Sequence, residues 1–478
     1  MDNSTTFDIK RFAQIEKNLS LFEHSYNGFY YWRNIRFIVC ASSLYGNRLK
    51  NEKKALQQRK RNFLSYYISG FGMMLWLTIQ ECFRSTPKAE LLFLRDTRLS
   101  DKFFDYWALP NDITLANYRF FSYEENSGKG EHFIEWPKLK SAIIYKFKEF
   151  LHLIKKDKKE RIFLYELEKR LIKVFGQSIS AKEMEKIIQY NSISDKNYYA
   201  AFKKLFAKTG CNAINFKCYY QGCLFAAIKA ANEIGITTIE MQHGAISNHQ
   251  EYWFEDRRGL HNYTPDYLLT FGEAHNTWIK LVEGHKAIAV GYPFQEKMIK
   301  AVENIKTNEK EIMIYPVSDP RFEEVLDQFT NEITKLGYSV YLKIHPLEAV
   351  NVSVYYPVLS KNKNLQVITS QKEGIYYWLK KAKHHIMTST TVALEAMVFD
   401  HANVCIATHV PHEQAQCLLD WGTARGFSTA EELKELILNP IDLTTENAKK
   451  VRERLWRSNA SENMKNIFQE FKDHNWRL

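Results

Sequence analysis

The 478-residue chain contains no Cys-x-x-Cys pair, no Gly-x-Gly-x-x-Gly fingerprint, no Gly-x-x-x-x-Gly-Lys-Ser/Thr loop, no Asp-x-Asp and no Asp-Gly. Each absence removes a class of protein. The seven cysteines are odd in number and sit in apolar stretches such as Val404-Cys405-Ile406, which predicts reduced, buried thiols of a cytoplasmic protein rather than zinc ligands or disulfides. Without the glycine loops, the classical dinucleotide and P-loop readings are weak. Without an acidic pair to clamp a divalent cation on a diphosphate, a metal-independent site is expected, with no cofactor. The opening Met1-Asp2-Asn3-Ser4 is polar and predicts no secretory signal.

Uncharged stretches are also scarce. Residues 62–80 carry no charge, but the run barely reaches the length of about 20 that a membrane span needs. Ser, Gly, Tyr and Thr interrupt it, so it reads as a buried or interfacial helix. What remains is an ordinary globular composition, 45% hydrophobic and 14% aromatic, with a net charge of +11. A basic balance suits nucleic acid, anionic lipid or phosphorylated ligands. No nucleic-acid-binding module accompanies it, so no nucleic-acid partner is expected.

The pattern along the chain divides it into four regions: 1–85, 86–300, 301–440 and 441–478. The first looks helical, with basic runs and no strand pattern. Residues 138–176 read as a basic amphipathic helix, with Ile143, Ile144, Phe147, Phe150, Leu151 and Ile154 on one face. That face either packs on a core or lies on an anionic membrane surface. Strands are expected at 90–94 and 113–116. From about 211 strands and helices alternate, with strands at 213–216, 237–241, 267–270 and 287–290. A polar linker follows near 302–310. Alternation then resumes, with strands at 311–315, 339–344, 365–369, 384–388 and 403–407. Two tandem blocks of this kind predict an α/β protein of two Rossmann-like, doubly wound domains facing across a cleft, with the N-terminal helical region ahead of them. The C-terminal helix is expected to fold back over the first domain.

Open α/β sheets bind ligands beyond the carboxyl ends of their strands. The residues there are the site candidates. Gln242-His243-Gly244 ends one strand, where His243 is a candidate general base and Gly244 permits a tight turn. Asp96, ending the strand at 90–94, is the competing candidate base. Gly291-Tyr292-Pro293 follows the 287–290 strand, and Ser318 follows the 311–315 strand; Tyr292 and Ser318 are further cleft candidates. Lys343-Ile344-His345-Pro346 ends another strand, with Lys343 adding charge and His345 suited to a phosphate or nucleotide oxygen. In Thr388-Ser389-Thr390-Thr391 a strand runs into an expected helix over 390–399. Ser389, Thr390 and Thr391 there either cap the helix or form a phosphate site with its free amides, and Glu395 lies one turn in, within reach of ribose hydroxyls.

Taken in order, Gln242-His243-Gly244, Gly291-Tyr292-Pro293, His345-Pro346 and Ser389-Thr390-Thr391 with Glu395 resemble bacterial capsule and lipopolysaccharide glycosyltransferases of GT-B type. The His-Pro and Ser/Thr motifs are similar to those of bacterial sialyltransferases and of transferases for 3-deoxy-manno-octulosonic acid (Kdo), where they hold the cytidine nucleotide. A Gln-His-Gly element also occurs in Kdo transferases of capsule assembly. A related Trp-His-Gly occurs in teichoic-acid glycerophosphotransferases, where the histidine is a suggested base. The sialyltransferase Asp/Glu-Asp-Gly motif is not present. The resemblance covers about residues 210–410. It implies a CMP-sugar donor, a nonulosonic acid or Kdo, and a lipid-linked oligosaccharide acceptor, with the enzyme on the inner face of the cytoplasmic membrane. The alternatives are a UDP-hexose or CDP-glycerol donor on the same fold, a sugar-nucleotide epimerase, and a non-catalytic glycan-binding protein.

Overall fold

The computed structural model describes residues 9–40, 42–43, 88–96, 115–120, 132–133, 136–151, 153–219, 222–244, 246, 263–279, 281, 283–345, 348–370, 372–388, 390–410 and 412–478. The uncharged run 62–80 lies outside them. Two parallel sheets organise the chain. The first comprises β3 (Leu91–Asp96), β4 (Leu115–Phe120), β5 (His132–Phe133), β6 (Ala213–Lys217), β7 (Thr237–Met241), β8 (Tyr267–Thr270) and β9 (Lys286–Ala289), in the order β5-β4-β3-β6-β7-β8-β9. The second comprises β10 (Asn308–Ile314), β11 (Ser339–Lys343), β12 (Leu365–Ile368), β13 (Ala382–Met387), β14 (Asn403–Ala407) and β15 (Arg425–Phe427), in the order β12-β11-β10-β13-β14-β15. In both, the first strand lies inside the sheet, the next two step to one side and the rest to the other. This is the doubly wound Rossmann order expected from the alternation.

The central strands are apolar on both faces because helices cover both faces of a parallel sheet. In β3, Leu92 and Leu94 pack with Phe202, Phe206 and Leu224, while Leu91 and Phe93 pack with Met464, Phe468 and Phe471 from the C-terminal helix Ala460–Asp473. In β10, Ile312 and Ile314 face helix Pro320–Ile333 through Phe322, Leu326 and Phe329, and Met313 faces Leu379, Leu394 and Met397. The six cysteines among the described residues are buried.

Three local expectations are corrected. The N-terminal region carries a hairpin, β1 (Ser25–Tyr26) with β2 (Phe29–Tyr30), turned by Asn27 and Gly28, both at positive φ. Asn-Gly is the favoured two-residue hairpin turn because both residues tolerate that conformation. The single amphipathic helix expected over 138–176 is two helices, Trp136–Phe150 and Lys158–Phe175. Asp157 caps the second by accepting from the Glu160 amide, and the Lys155 carbonyl between them accepts from Tyr26 and Asn27. The helix expected over 390–399 is reduced to Val392–Ala396.

The C-terminal segment divides its packing. Helix Glu446–Leu455 shares a core with the second sheet, and helix Ala460–Asp473 lies on the first. The crossing between them is stitched to both bodies. Trp456 Nε1 donates to Leu394 O at 3.1 Å, the Arg457 amide to Phe271 O at 2.8 Å, and Arg457 Nη1 to Ala289 O at 2.7 Å. His275 Nε2 lies 3.1 Å from Leu455 O. Glu296 receives the Ala460 and Ser461 amides and the Ser461 hydroxyl, so a carboxylate sits at the amino end of the last helix. Gly272 and Gly291 make the crossing possible. A Cβ on Gly272 would meet Arg454 O and Leu455 O at 2.4 Å, and one on Gly291 would meet Arg457 O at 2.4 Å. Gly291 also holds φ of +94°. Gly272→Ala and Gly291→Ala are each expected to lower stability by about 1–3 kcal/mol in urea unfolding. Gly374→Ala, with open space around it, should stay within about 0.5 kcal/mol of the parent.

Candidate functional site

The crevice of a doubly wound sheet opens where the strand order reverses. In this chain that is between β3 and β6 in the first sheet and between β10 and β13 in the second. The tips of both sheets meet at one boundary. Gln295, just past β9, donates to the Tyr376 hydroxyl at the start of helix Ile375–Lys381 beyond β12.

On the first sheet, β6 ends at Lys217 and turns through Cys218, a non-glycine residue at φ +60°. The turn is held by Glu240 of β7, whose carboxyl accepts from the Tyr219 amide at 3.1 Å and from the Cys218 amide. Burial pushes Glu240 up to about 8, with the two amides opposing the shift, so the acid form prevails at neutral pH. His243 lies two residues past β7. Burial, with the Lys217 charge adding to it, lowers its imidazole to about 4. At neutral pH it is uncharged and able to accept a proton. Gln242 is a clasp. Its Nε2 donates to Gly244 O at 2.8 Å and its Oε1 accepts from the Phe271 amide at 2.8 Å, tying the tip of β7 to that of β8. Tyr292 stacks on Phe271 at 4.1 Å and faces Trp456, so its ring belongs to the crossing as much as to the crevice. Lys217, Gln242, Phe271 and Tyr292 line one narrow cavity. Asp96 closes β3; its side chain lies outside the described residues. With β6 between β3 and β7, the Asp96 and His243 positions are two strand spacings apart, about 10 Å.

On the second sheet, β11 and β13 flank β10, so the chain leaves the sheet toward His345 and Thr388 at strands two spacings apart, about 10 Å, with the β10 tip between them. His345 is exposed and its carbonyl receives the Glu348 and Ala349 amides. Pro346 and Ser389 lie outside the described residues. Lys343 is buried, and its Nζ donates to Ser370 O at 2.7 Å; burial lowers its pKa. That contact turns its charge toward Ser370. Ser318 donates to Tyr355 O at 3.0 Å, which fixes the β10 loop. Thr390 Oγ1 accepts from the Val392 amide at 3.3 Å, and Thr391 begins the short helix. Five helical residues supply a weaker dipole than the ten-residue helix expected. Glu395 bonds to Tyr376, and burial pushes its carboxyl up to about 7.

Residues that the motifs did not single out also converge here. Lys217, Cys218 and Glu240 shape the β6 tip. Tyr376 joins Glu395 to Gln295 across the boundary. His409, just past β14, sits edge-on to Phe427 with both ring nitrogens enclosed and no hydrogen-bond partner among the described residues. A histidine at a strand tip marks His243 and His345, and it marks His409 equally.

Two Rossmann-like domains whose strand tips share one boundary, joined by a C-terminal helical crossover, are the GT-B architecture. No protein-family model matches the chain, and no curated protein matches its sequence. Among solved structures, the chain is similar to UDP-GlcNAc 2-epimerase from Methanocaldococcus jannaschii, with 11% identity, a TM-score of 0.49, and 80% of this chain and 99% of that one covered. It is similar to UDP-GlcNAc 2-epimerase from Neisseria meningitidis bound to UDP-GlcNAc, with 14% identity, a TM-score of 0.46, and 80% and 99% covered. It is also similar to the glycotransferase of kitacinnamycin, with 9% identity, a TM-score of 0.47, and 81% and 99% covered. At these identities and TM-scores nothing about the chemistry of this chain follows from them.

The Glu395 environment has a measurable consequence. Its ordinary value of 4.5 applies to the unfolded chain, and about 7 to the fold. Below 4.5 both states hold the proton. Between 4.5 and 7 only the folded state does, so stability falls as pH rises through that window. Glu395→Gln is expected to gain on the parent over this range, by up to roughly 3 kcal/mol at pH 8 relative to pH 4.5. Urea unfolding at the two pH values reads the difference; an equal offset at both refutes it.

Proposed function

We propose that this chain is a glycosyltransferase of bacterial surface polysaccharide synthesis. It transfers a nonulosonic acid or Kdo from a CMP-activated donor to a lipid-linked glycan. The observation that carries this reading is the meeting of two unlike sets of strand tips at one boundary, with an uncharged imidazole beside a lysine on the first sheet and an imidazole, a hydroxyl cluster and a half-enclosed carboxyl on the second. The CMP choice rests on the His-Pro and Ser/Thr motifs.

On this reading the donor lies on the second sheet. His345 and the hydroxyls of Ser389, Thr390 and Thr391 hold the phosphate, and Glu395 holds the ribose. The acceptor approaches the tips of β3 and β7. His243, or Asp96, takes the proton of the acceptor hydroxyl as its oxygen bonds to the anomeric carbon. The bond from that carbon to the phosphate oxygen breaks, and CMP leaves with the electron pair. Donors fixed in place stabilise the charge growing on that oxygen without reorganising.

Calorimetry with CMP, CDP, UDP and GDP tests the donor. CMP is expected to bind, and His345→Ala to weaken it by at least about tenfold, the loss of one hydrogen bond to a charged group. Unchanged CMP affinity in that variant removes His345 from the site, and preference for UDP or CDP replaces the donor. His243→Asn is expected to lower transfer about 10²- to 10⁴-fold while CMP binding is retained. Conversion of a nucleotide sugar with no acceptor present would identify an epimerase instead. Full function without both His243 and Asp96 would identify a binding protein.

A further inference from the structure

Among its described side chains, helix Trp136–Phe150 buries Ser141 and Tyr145, half-buries Ile143 and Ile144, and leaves Phe147 exposed. Ser141 accepts from Asn197 Nδ2 at 2.9 Å, and Tyr145 is set edge-on to Tyr190 at 5.8 Å. Phe147 is left 61% exposed, Leu151 43% and Leu153 59%. Large apolar side chains at this exposure within seven residues form a patch rather than scattered surface residues. Lys148, Lys155 and Lys156 are exposed around it, and none of the three is ion-paired among the described residues. Over 146–159 six lysines stand against only Glu149 and Asp157.

The patch is held in place. The Leu153 amide donates to Lys148 O at 2.8 Å, the Lys155 carbonyl accepts from Tyr26 Oη and Asn27 Nδ2 at 3.3 Å each, and Asp157 caps the next helix. Phe147, Leu151 and Leu153 are therefore presented to solvent by a fixed backbone. Their side of the domain is also set. Helix Ala181–Thr209 leads into β6, so its C-terminal end lies at the amino ends of the strands. The pairs Ser141–Asn197 and Tyr145–Tyr190 run the two helices antiparallel. The end bearing Phe147 to Leu153 thus points toward the strand tips, the side of His243.

We propose that this surface docks the protein on an anionic phospholipid bilayer. Phe147, Leu151 and Leu153 enter the boundary between headgroups and acyl chains, and Lys148, Lys155 and Lys156 face lipid phosphates. Apolar burial and cationic attraction together are what interfacial binding requires. Among the described residues no helix is long and apolar enough to cross a membrane. The inference deepens the acceptor half of the proposed function by bringing the tips of the first sheet to the plane where a lipid-linked glycan begins. Its readout involves no nucleotide, so its failure leaves the donor assignment standing.

The test is co-sedimentation of the full chain with vesicles of phosphatidylcholine alone and of phosphatidylcholine with phosphatidylglycerol. Binding is expected to the anionic vesicles and to be much weaker to the neutral ones. Lys155→Glu with Lys156→Glu should lower it about tenfold at 0.1 M salt, with a smaller effect at 0.5 M. Phe147→Ser with Leu151→Ser and Leu153→Ser should lower it at least about tenfold at both salts. Thermal midpoints matching the parent show that these surface variants fold. Equal binding to both vesicle types, no binding by the parent, or parent-like binding by both variants overturns the proposal. So does a parent dimer in sedimentation velocity that the Ser variant abolishes, since a second copy would then be the occupant.

Discussion

The rest of the structure depends on the backbone of 454–460 lying directly on Gly272 and Gly291. Those glycines end the tips of β8 and β9, and nothing larger fits beneath the crossing chain. Because the crossing is seated there, Trp456 reaches Leu394 and Arg457 reaches Phe271 and Ala289. One short segment therefore sets the distance between the first sheet and the helix that carries Glu395. The bodies also share apolar core at this point, since Phe271, Ala274 and Val302 belong to the same cluster as Leu394, Leu418 and Leu455. A change under the crossing is felt in the site, because packed interiors transmit strain rather than absorb it.

The site groups are tuned in opposite senses by the same burial. Glu240 and Glu395 are raised toward their neutral acids, while His243 is lowered toward its neutral base. Desolvation disfavours whichever form is charged, so an enclosed acid and an enclosed base both become neutral. An anion beside His243 would favour its protonated form. Glu240 works through the chain. By holding the amides of Cys218 and Tyr219 it fixes the turn that carries Lys217 to the tip of β6.

The sheets were legible because parallel strands buried on both faces read as short apolar runs, as in Ile312-Met313-Ile314 and Val404-Cys405-Ile406. The strand-end motifs were legible for a related reason. Where an apolar run stops at His243, His345 or Thr388, the chain leaves the sheet and its polar groups stand at the open edge. The hairpin at Asn27-Gly28 was missed: its turn residues carry a signal, but the helical appearance of its flanks hid it. The break between the helices Trp136–Phe150 and Lys158–Phe175 was not legible, since helical periodicity continues through it and the contacts that Tyr26 and Asn27 make with Lys155 O come from far along the chain. The roles of Gln242 and Ser318 were also hidden. Their chemistry suits a ligand, and their partners turned out to be backbone atoms of neighbouring loops.

By itself the sequence determined the apolar central strands of the two sheets, that they run parallel, and which polar residues end them, because burial on two faces and the turn at each strand end leave direct marks on local composition; the short strands Ser25–Tyr26, Phe29–Tyr30, His132–Phe133 and Arg425–Phe427 left no such mark. Only the tertiary structure decided which of those endings meet and which are spent on the fold. It also decided that Phe147 and Leu151 face water and that Glu395 sits by Tyr376. Those outcomes depend on what arrives from distant parts of the chain, and a contact between residues 455 and 272 or between 26 and 155 writes no local pattern at either end.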